Sequence, residues 1–219
     1  MPPKKSPATK TAAKPATKTA GGTKSTGGAK GAGAAKGAGA AKAKAAEAPP
    51  KAPPLPEVKM EAKQIIPFLT HDKDEIIKKS QRWPYIVDQT GVVARLLQYS
   101  DINVLEVMMS DQMEPERIRM ALLGSLKFGK PLVIDMGDLD MFTAINEFLN
   151  RILPDLTDLV MTKKVMEEKC IDQLIKPTDD QDNKNSMLYK ADSFRFGLIT
   201  SKEMVSDEMK SRMLVVRVE

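Results

Sequence analysis

Cysteine and histidine are almost missing from this sequence of 219 residues, which contains one of each, Cys170 and His71. A lone cysteine excludes an internal disulfide and is typical of a protein from a reducing compartment. Clustered metal sites and Cys–His catalytic pairs need several such residues close together. We therefore expect neither a metal site nor cysteine-based catalysis.

Long apolar runs are missing as well. No stretch approaches the roughly 20 apolar residues that cross a bilayer. The N-terminal residues include lysines but lack the apolar core that a secretory signal has. They also lack the arginines and the amphipathic pattern of a transit peptide. We expect a cytoplasmic protein with no membrane partner.

Charge divides the chain into two parts. Residues 1–51 contain 11 lysines, no arginine and one acid, Glu47, for a net charge of about +10. The whole chain is +5, so residues 52–219 have a net charge of about −5. The basic part has too few apolar residues to offset its ordering entropy. The composition predicts a disordered arm over residues 1–45, a Pro-rich linker over 46–59 and a folded domain over 60–219.

Lysines in the arm are evenly spaced, and part of the series recurs every six residues, which suits contact with a polyanion. A solubilising extension with no partner is the alternative interpretation. Ser6 in KKSPATK is a candidate phosphosite, because Ser-Pro between lysines suits proline-directed kinases. Phosphorylation would subtract about 1.5 to 2 charges. The candidate polyanion-binding residues are Lys4, Lys5, Lys10, Lys14, Lys18, Lys24, Lys30, Lys36, Lys42 and Lys44.

Strands and helices alternate along the folded part, which predicts an α/β fold with a mainly parallel sheet and helices on both faces. Helices are predicted from about Asp72 and over 91–99, 111–128, 139–152 and 155–174, with Val92, Leu96, Leu97 and Tyr99 on the buried face of the second. A polar loop is predicted over 178–186 and a short strand over 188–190. The main strands are predicted at 85–88, 103–109, 132–135, 194–200 and 213–218.

Three segments, RWPYIVDQTG, GKPLVIDMGDLD and FRFGLITSK, follow one another in this order. Together they resemble the fifth AAA+ module of dynein heavy chains, an isolated copy of which also closes the IQ-motif and ankyrin-repeat proteins. The resemblance covers about residues 81–219. It implies a three-layer AAA+-like large subdomain with five strands ordered 5-1-4-3-2. Because the sequence ends at the fifth strand, we expect no helical lid.

The nucleotide site of such a fold has lost its chemistry in this sequence. A Walker A loop needs a lysine and glycines that let backbone N–H groups surround phosphate, whereas Asp88 here would repel it. Met136 stands where a catalytic glutamate would follow Asp135. We expect no catalysis, no bound nucleotide and no other cofactor. The vestigial site positions implied by the resemblance are Asp88, Gln89, Thr90, Gly91, Asp135 and Thr200.

Other motifs have structural interpretations. GSLKFGKP, residues 124–131, resembles a phosphate loop but lies between a helix and a strand in the wrong order, so Gly129 is predicted to end the helix. Asp135 and Asp138 are predicted to cap a helix that begins near Leu139.

Two groups of large side chains are predicted to serve packing. Trp83 and Tyr85 are expected to pack the sheet edge against the lead-in helix. Core filling is the first interpretation of four clustered methionines, and an adaptable contact surface is the second. These methionines are Met108, Met109, Met113 and Met120.

The leading functional hypothesis is a non-catalytic adaptor of microtubules or axonemes, at the cytoskeleton or in a cilium. The lysine arm would bind the acidic microtubule surface, and the folded module would dock on an unidentified protein partner. One alternative is nuclear binding of chromatin, DNA or RNA, because the Lys/Ala/Pro arm with Ser-Pro resembles linker-histone tails. Another is residual ATP binding with slow or no hydrolysis.

Overall fold

The sheet is the centre of the fold. The computed structural model describes residues 57–185 and 189–219. Within them the strands are ordered β1-β6-β2-β5-β4-β3, and all the pairs are parallel. The strands are β1 (Val58–Met60), β2 (Pro84–Val87), β3 (Asn103–Glu106), β4 (Pro131–Asp135), β5 (Arg195–Thr200) and β6 (Leu214–Val218).

Helices cover both faces of this sheet. The chain moves outward from β2 to β3 through α3 and back to β4 through α4, so right-handed crossovers place these two helices on opposite faces. Helix α1 packs beside α3, and α4 packs beside α5 and α7. The helices are α1 (Ala62–His71), α2 (Ile76–Ser80), α3 (Val92–Gln98), α4 (Pro115–Phe128), α5 (Phe142–Ile152), α6 (Leu156–Met161), α7 (Glu168–Leu174) and α8 (Asp207–Arg212).

The predicted α/β class with a mainly parallel sheet is confirmed, but the predicted count of five strands is wrong. The five predicted strands keep their expected relative order, β6-β2-β5-β4-β3. A sixth, β1, pairs with β6 at the edge, with Val58 opposite Val216. It lies partly before residue 60, where the folded domain was expected to begin. A strand of three residues is too short to show a period of two in the sequence.

The lead-in to β2 differs from the expectation of one helix from Asp72. Helix α1 ends at this residue, whose backbone is left-handed with φ 44°. The Asp72 carboxylate instead accepts hydrogen bonds from the backbone N–H groups of Ile77 and Lys78, at 3.1 and 3.0 Å. The acidic residue therefore caps a helix, as its charge suggests, but that helix is α2, a few residues further on.

Several boundaries also differ. Strand β3 ends at Glu106 rather than 109. The region 155–174 is divided into α6, a 3-10 turn at Lys164–Met166 and α7. Another 3-10 turn, Gln181–Asn183, lies in the predicted polar loop. Of the strand predicted over 188–190, the last two residues are not in a strand and the first lies outside the described residues. Helix α8 was not predicted.

Helix α5 begins at Phe142, so the predicted capping by Asp135 and Asp138 near Leu139 is wrong. The nearest side-chain acceptor is Asp140 Oδ1, 3.4 Å from the backbone nitrogen of Phe142. A turn at residues 137–138 and a bend at residue 139 separate β4 from α5, so the helix begins seven residues after Asp135.

Burial on α3 follows a different stripe from the predicted one. Val93 and Leu97 are buried, whereas Val92, Leu96 and Tyr99 are exposed. Successive residues of a helix are rotated by about 100° around its axis, so the stripe with Val93 faces a different direction from the stripe with Val92. The side chains predicted to anchor α3 therefore face solvent, with Leu97 as the exception.

Trp83 and Tyr85 are buried at β2, which lies inside the sheet rather than at its edge. Trp83 Nε1 donates to the Val160 carbonyl of α6 at 2.6 Å, and its ring meets Phe194 edge-on at 5.9 Å between centroids. The tryptophan therefore packs against α6 and Phe194, inside the fold rather than at an edge of the sheet. Among the described residues, no helix has the length and apolar character needed to cross a membrane.

Candidate functional site

The loop after β2 is organised around one buried carboxylate. Asp88 is 1% exposed. Its Oδ2 accepts from the backbone N–H of Val93 at 2.6 Å. Its Oδ1 accepts from the backbone N–H and the hydroxyl of Thr90, at 3.1 and 2.7 Å. Gly91 makes the turn into α3 with φ 66°, and Gln89 is exposed.

The Asp88 carboxylate lies where a phosphate-binding loop would hold the phosphate. In a phosphate loop, backbone N–H groups of the turn and of the first helical turn bind the phosphate. Here the N–H groups of Thr90 and Val93 donate hydrogen bonds to the Asp88 carboxylate of the same loop. The negative charge of that side chain suits the start of a helix and opposes a second anion there.

Thr200 ends β5, the neighbour of β2, and Asp135 ends β4, the next strand along the sheet. Asp135 Oδ1 accepts from the N–H of Gly137 at 2.8 Å. Thr200 Oγ1 donates to the Gly137 carbonyl at 2.9 Å, and the Thr200 carbonyl accepts from the Asp88 N–H at 2.8 Å. The structure therefore brings Asp88, Asp135 and Thr200 to one edge of the sheet, where their polar groups fix the turns.

This edge is acidic. Burial raises the pKa of Asp135, and the nearby carboxylates of Glu106 and Asp88 raise it further, against the N–H of Gly137, which lowers it. Glu106 Oε1 accepts from Gln98 Nε2 at 2.9 Å. Over residues 57–185 and 189–219, no group of three or more His, Cys, Asp and Glu side chains is arranged to hold a metal ion. The chemistry visible at this edge is the capping of turns.

The remaining predicted positions have separate surroundings. Gly129 ends α4 with φ 67°, and its N–H donates to the Ser125 carbonyl, so the predicted helix end is confirmed. His71 Nδ1 lies 2.7 Å from the Thr70 hydroxyl. Cys170 is buried in α7, and burial raises the pKa of its thiol. The ten candidate lysines from Lys4 to Lys44, with Ser6, lie outside the described residues.

The methionine cluster is mostly not part of the core. Met113 is buried, as predicted, but Met108, Met109 and Met120 are 65%, 47% and 40% exposed, so core filling is wrong for these three. Their exposure results from the position of β3 at the end of the sheet, which the sequence pattern of this segment does not show.

Exposed apolar side chains are concentrated around β3. Among the described residues, nine large apolar side chains are exposed, and seven belong to α3 with its C-cap residue, the turn after β3 or α4. A groove of about 380 Å³ runs between β3 and α4. Sequence reasoning missed this groove. The β3–α4 groove is lined by Asn103, Val104, Leu105, Arg117, Met120, Ala121, Gly124, Phe128 and Lys130.

No protein-family model matches this chain, and no solved structure matches it.

Proposed function

We propose that the protein is a non-catalytic adaptor or scaffold of microtubules or axonemes, in the cytoplasm at the cytoskeleton or in a cilium. The observation that supports the absence of catalysis best is the Asp88 carboxylate, which accepts from Thr90 and Val93 where a nucleotide-binding loop would hold phosphate. The three motifs that resemble the dynein AAA+ module support the cytoskeletal setting.

The charge distribution supports a polyanion-binding role for the N-terminal lysines. The chain has 34 Lys and Arg and 29 Asp and Glu, of which 11 and one lie in residues 1–51. Residues 57–219 therefore contain 23 cationic and 28 acidic side chains. The lysines of the arm are attracted to the acidic microtubule surface, whereas the net negative charge of residues 57–219, the body, is repelled by it.

Chromatin or nucleic-acid binding is the second candidate. The observation in its favour is the KKSPATK segment in a Lys/Ala/Pro-rich arm. Evenly spaced lysines bind duplex DNA through counterion release, with little sequence preference and with an affinity that falls log-linearly with salt.

Co-sedimentation tests the proposal and separates the two polyanions. The full-length protein, a variant with the 11 lysines of residues 1–51 replaced by glutamine and a matched variant with the same lysines replaced by arginine are compared. Each is measured with microtubules and with duplex DNA at two salt concentrations. We expect the glutamine variant to lose at least about tenfold in microtubule affinity and the arginine variant to keep it.

Two results would contradict this account. Microtubule binding that survives the glutamine substitutions would place the binding surface on the folded body. Tight binding to DNA with none to microtubules would replace the adaptor proposal with the chromatin one. Localisation of the tagged protein, on filaments or cilia as opposed to nuclei, gives the same decision in cells.

A further inference from the structure

The outer edge of β3 is partly covered by groups of its own chain. The N–H of Val107 donates to the Asp135 carbonyl of β4, so alternate residues of β3 also face β4, and the N–H groups of Val104 and Glu106 face outward. The Glu106 N–H donates to Gln112 Oε1 at 2.9 Å. With half of this short edge covered by a side chain, another strand has few groups left to pair with.

The groove beside this edge is open to a helix. Arg117, Met120, Gly124 and Phe128 follow one another at three- and four-residue spacing, so they form one stripe on α4. Gly124 lies in the middle of that stripe, and an added Cβ there would meet no atom within 4 Å. A glycine between two large apolar side chains lets another backbone approach closely.

The charge at this groove is opposite to that of the body. Arg117 and Lys130 are the charged residues among its nine lining residues, and none of the nine is acidic. The Lys130 ammonium group is ion-paired with the exposed carboxylate of Asp101, so Arg117 is the main cation facing the groove. Next to it, the ammonium group of Lys127 lies 5.5 Å from the centre of the Phe128 ring. An apolar strip flanked by Arg117 and Lys127, on a body with a net negative charge, is complementary to an apolar helix face with acidic flanks.

We propose that the β3–α4 groove binds an amphipathic, acidic helix of a partner protein. Apolar side chains of that helix, spaced by three and four residues, lie over Gly124 between Met120 and Phe128, and its carboxylates face Arg117. This inference rests on the proposed adaptor role, for which it supplies the docking surface of the folded module.

Other occupants fit the groove less well. Residues 1–51 of this chain contain 11 lysines, one acid and Met1 as their only large apolar residue, so they offer neither the charge nor the apolar face. The other exposed apolar helix face within the described residues is that of α3, whose sequence VVARLLQ contains Arg95 and no acid. A second copy docking through α3 would therefore place cation against cation.

A displayed library of helical peptides, selected against the full-length protein, tests the proposal. We expect the selected peptides to share apolar residues at i, i+3 or i+4, and i+7, with Glu or Asp beside them. Binding of one labelled selected peptide is then measured by fluorescence anisotropy to the unchanged protein and to variants. Gly124→Leu fills the groove and improves helix propensity, so we expect at least about 20-fold weaker binding. Arg117→Glu should weaken it about tenfold.

The controls decide between groove and general stickiness. Arg95→Glu reverses an exposed charge on α3, and Met204→Ser removes an exposed apolar side chain elsewhere; both should leave the affinity within about twofold. Replacing the acids of the peptide by lysine should restore binding to Arg117→Glu. No enriched peptide, a basic consensus or an affinity unchanged by Gly124→Leu would overturn the proposal. Self-association or binding to anionic vesicles that Gly124→Leu abolishes would overturn it too, in favour of those occupants.

The groove proposal and the adaptor proposal can be contradicted separately. The glutamine variant of the arm should keep peptide binding, and Gly124→Leu should keep microtubule binding. Loss of microtubule binding alone therefore contradicts the role of the arm, whereas loss of peptide binding alone contradicts the role of the groove.

Discussion

The loop after β2 contains polar groups that bond to one another, whereas the groove between β3 and α4 leaves apolar side chains in solvent. In the loop, Asp88 is buried and accepts from donors of its own turn. In the groove, Met120 and Phe128 are exposed on a helix whose opposite face is fully packed. Hydrogen bonds between buried polar groups stabilise the folded state, whereas apolar area left in solvent does not. The difference indicates that the loop after β2 supports the structure and that the groove leaves apolar surface uncovered.

Removal of the loop carboxylate should have the largest effect on stability. Asp88→Ala leaves the buried Val93 N–H group without its acceptor, at a cost of about 1 to 3 kcal/mol, and removes the acceptor of the more exposed N–H and hydroxyl of Thr90. We expect the free energy of unfolding to fall by about 3 kcal/mol, as measured by urea denaturation. Met120→Ala on the groove side should change it by less than about 1 kcal/mol. Equal effects of the two variants would contradict the comparison.

Two glycines of the α4 region should respond in opposite directions. Gly129→Ala puts a Cβ 2.8 Å from the Ser193 Cβ at a left-handed backbone position, and we expect it to destabilise by about 2 kcal/mol. Gly124→Ala lies in the helix interior with open space around it, so it should stabilise by about 0.5 to 1 kcal/mol. Thermal unfolding of both variants checks this pair. A destabilising Gly124→Ala would mean that the groove is closed.

Acid should weaken the attachment of α4 before it affects the groove. Arg119 and Asp179 are 3% and 7% exposed, and both oxygens of the carboxylate accept from the guanidinium at 2.7 Å. This pairing lowers the pKa of Asp179 to about 2, below its unfolded value of about 4. A lowered carboxyl pKa stabilises the fold above pH 4, and the contribution disappears as the pH falls from about 4 to 2.

The measurement is the free energy of unfolding at several pH values between 5 and 2. We expect about 2 kcal/mol of the loss in the unchanged protein to be absent in Asp179→Asn, which has no carboxyl to titrate. Asp182→Asn, in the same loop, is the matched control and should keep the full pH dependence. An Asp179→Asn curve parallel to that of the unchanged protein would show that the pair contributes nothing to acid sensitivity.

The smallest effect is expected at the groove itself. Phe128→Ser removes an exposed ring from the last residue of α4, so unfolding free energy should change by less than about 0.5 kcal/mol. The same substitution should weaken binding of the selected acidic peptide about tenfold. A large loss of stability would show that the ring belongs to the core, and an unchanged peptide affinity would remove it from the docking surface.

Patterns of buried strands were enough to predict the class, whereas the order of five strands was implied by the resemblance to the AAA+ module. The segments around Ile86, Val133 and Leu198 are continuously apolar because their strands are covered on both faces. Short elements escaped prediction: β1 has three residues, and α8, with the sequence DEMKSR, buries only Met209. Helix α1, which precedes the predicted helix, was also missed, because its end depends on the left-handed backbone of Asp72 rather than on a period of apolar residues.

For the candidate site, sequence reasoning predicted the residues but not their bonding. The missing lysine and the charge of Asp88 indicated a loop unsuited to phosphate. That the carboxylate would accept from Thr90 and Val93 depends on the turn geometry. The groove could not be predicted, because the exposure of Met120 follows from β3 being the last strand of the sheet, a long-range property of the fold.

Calorimetric titration of the full-length protein with Mg-ATP, repeated with ADP, tests the central claim most directly. Because the Asp88 carboxylate occupies the donors that a phosphate would need, we predict no saturable heat up to ligand concentrations of about 1 mM. One-to-one binding with a micromolar Kd would contradict the account, since a nucleotide would then occupy the end of the sheet that we assign to structural support.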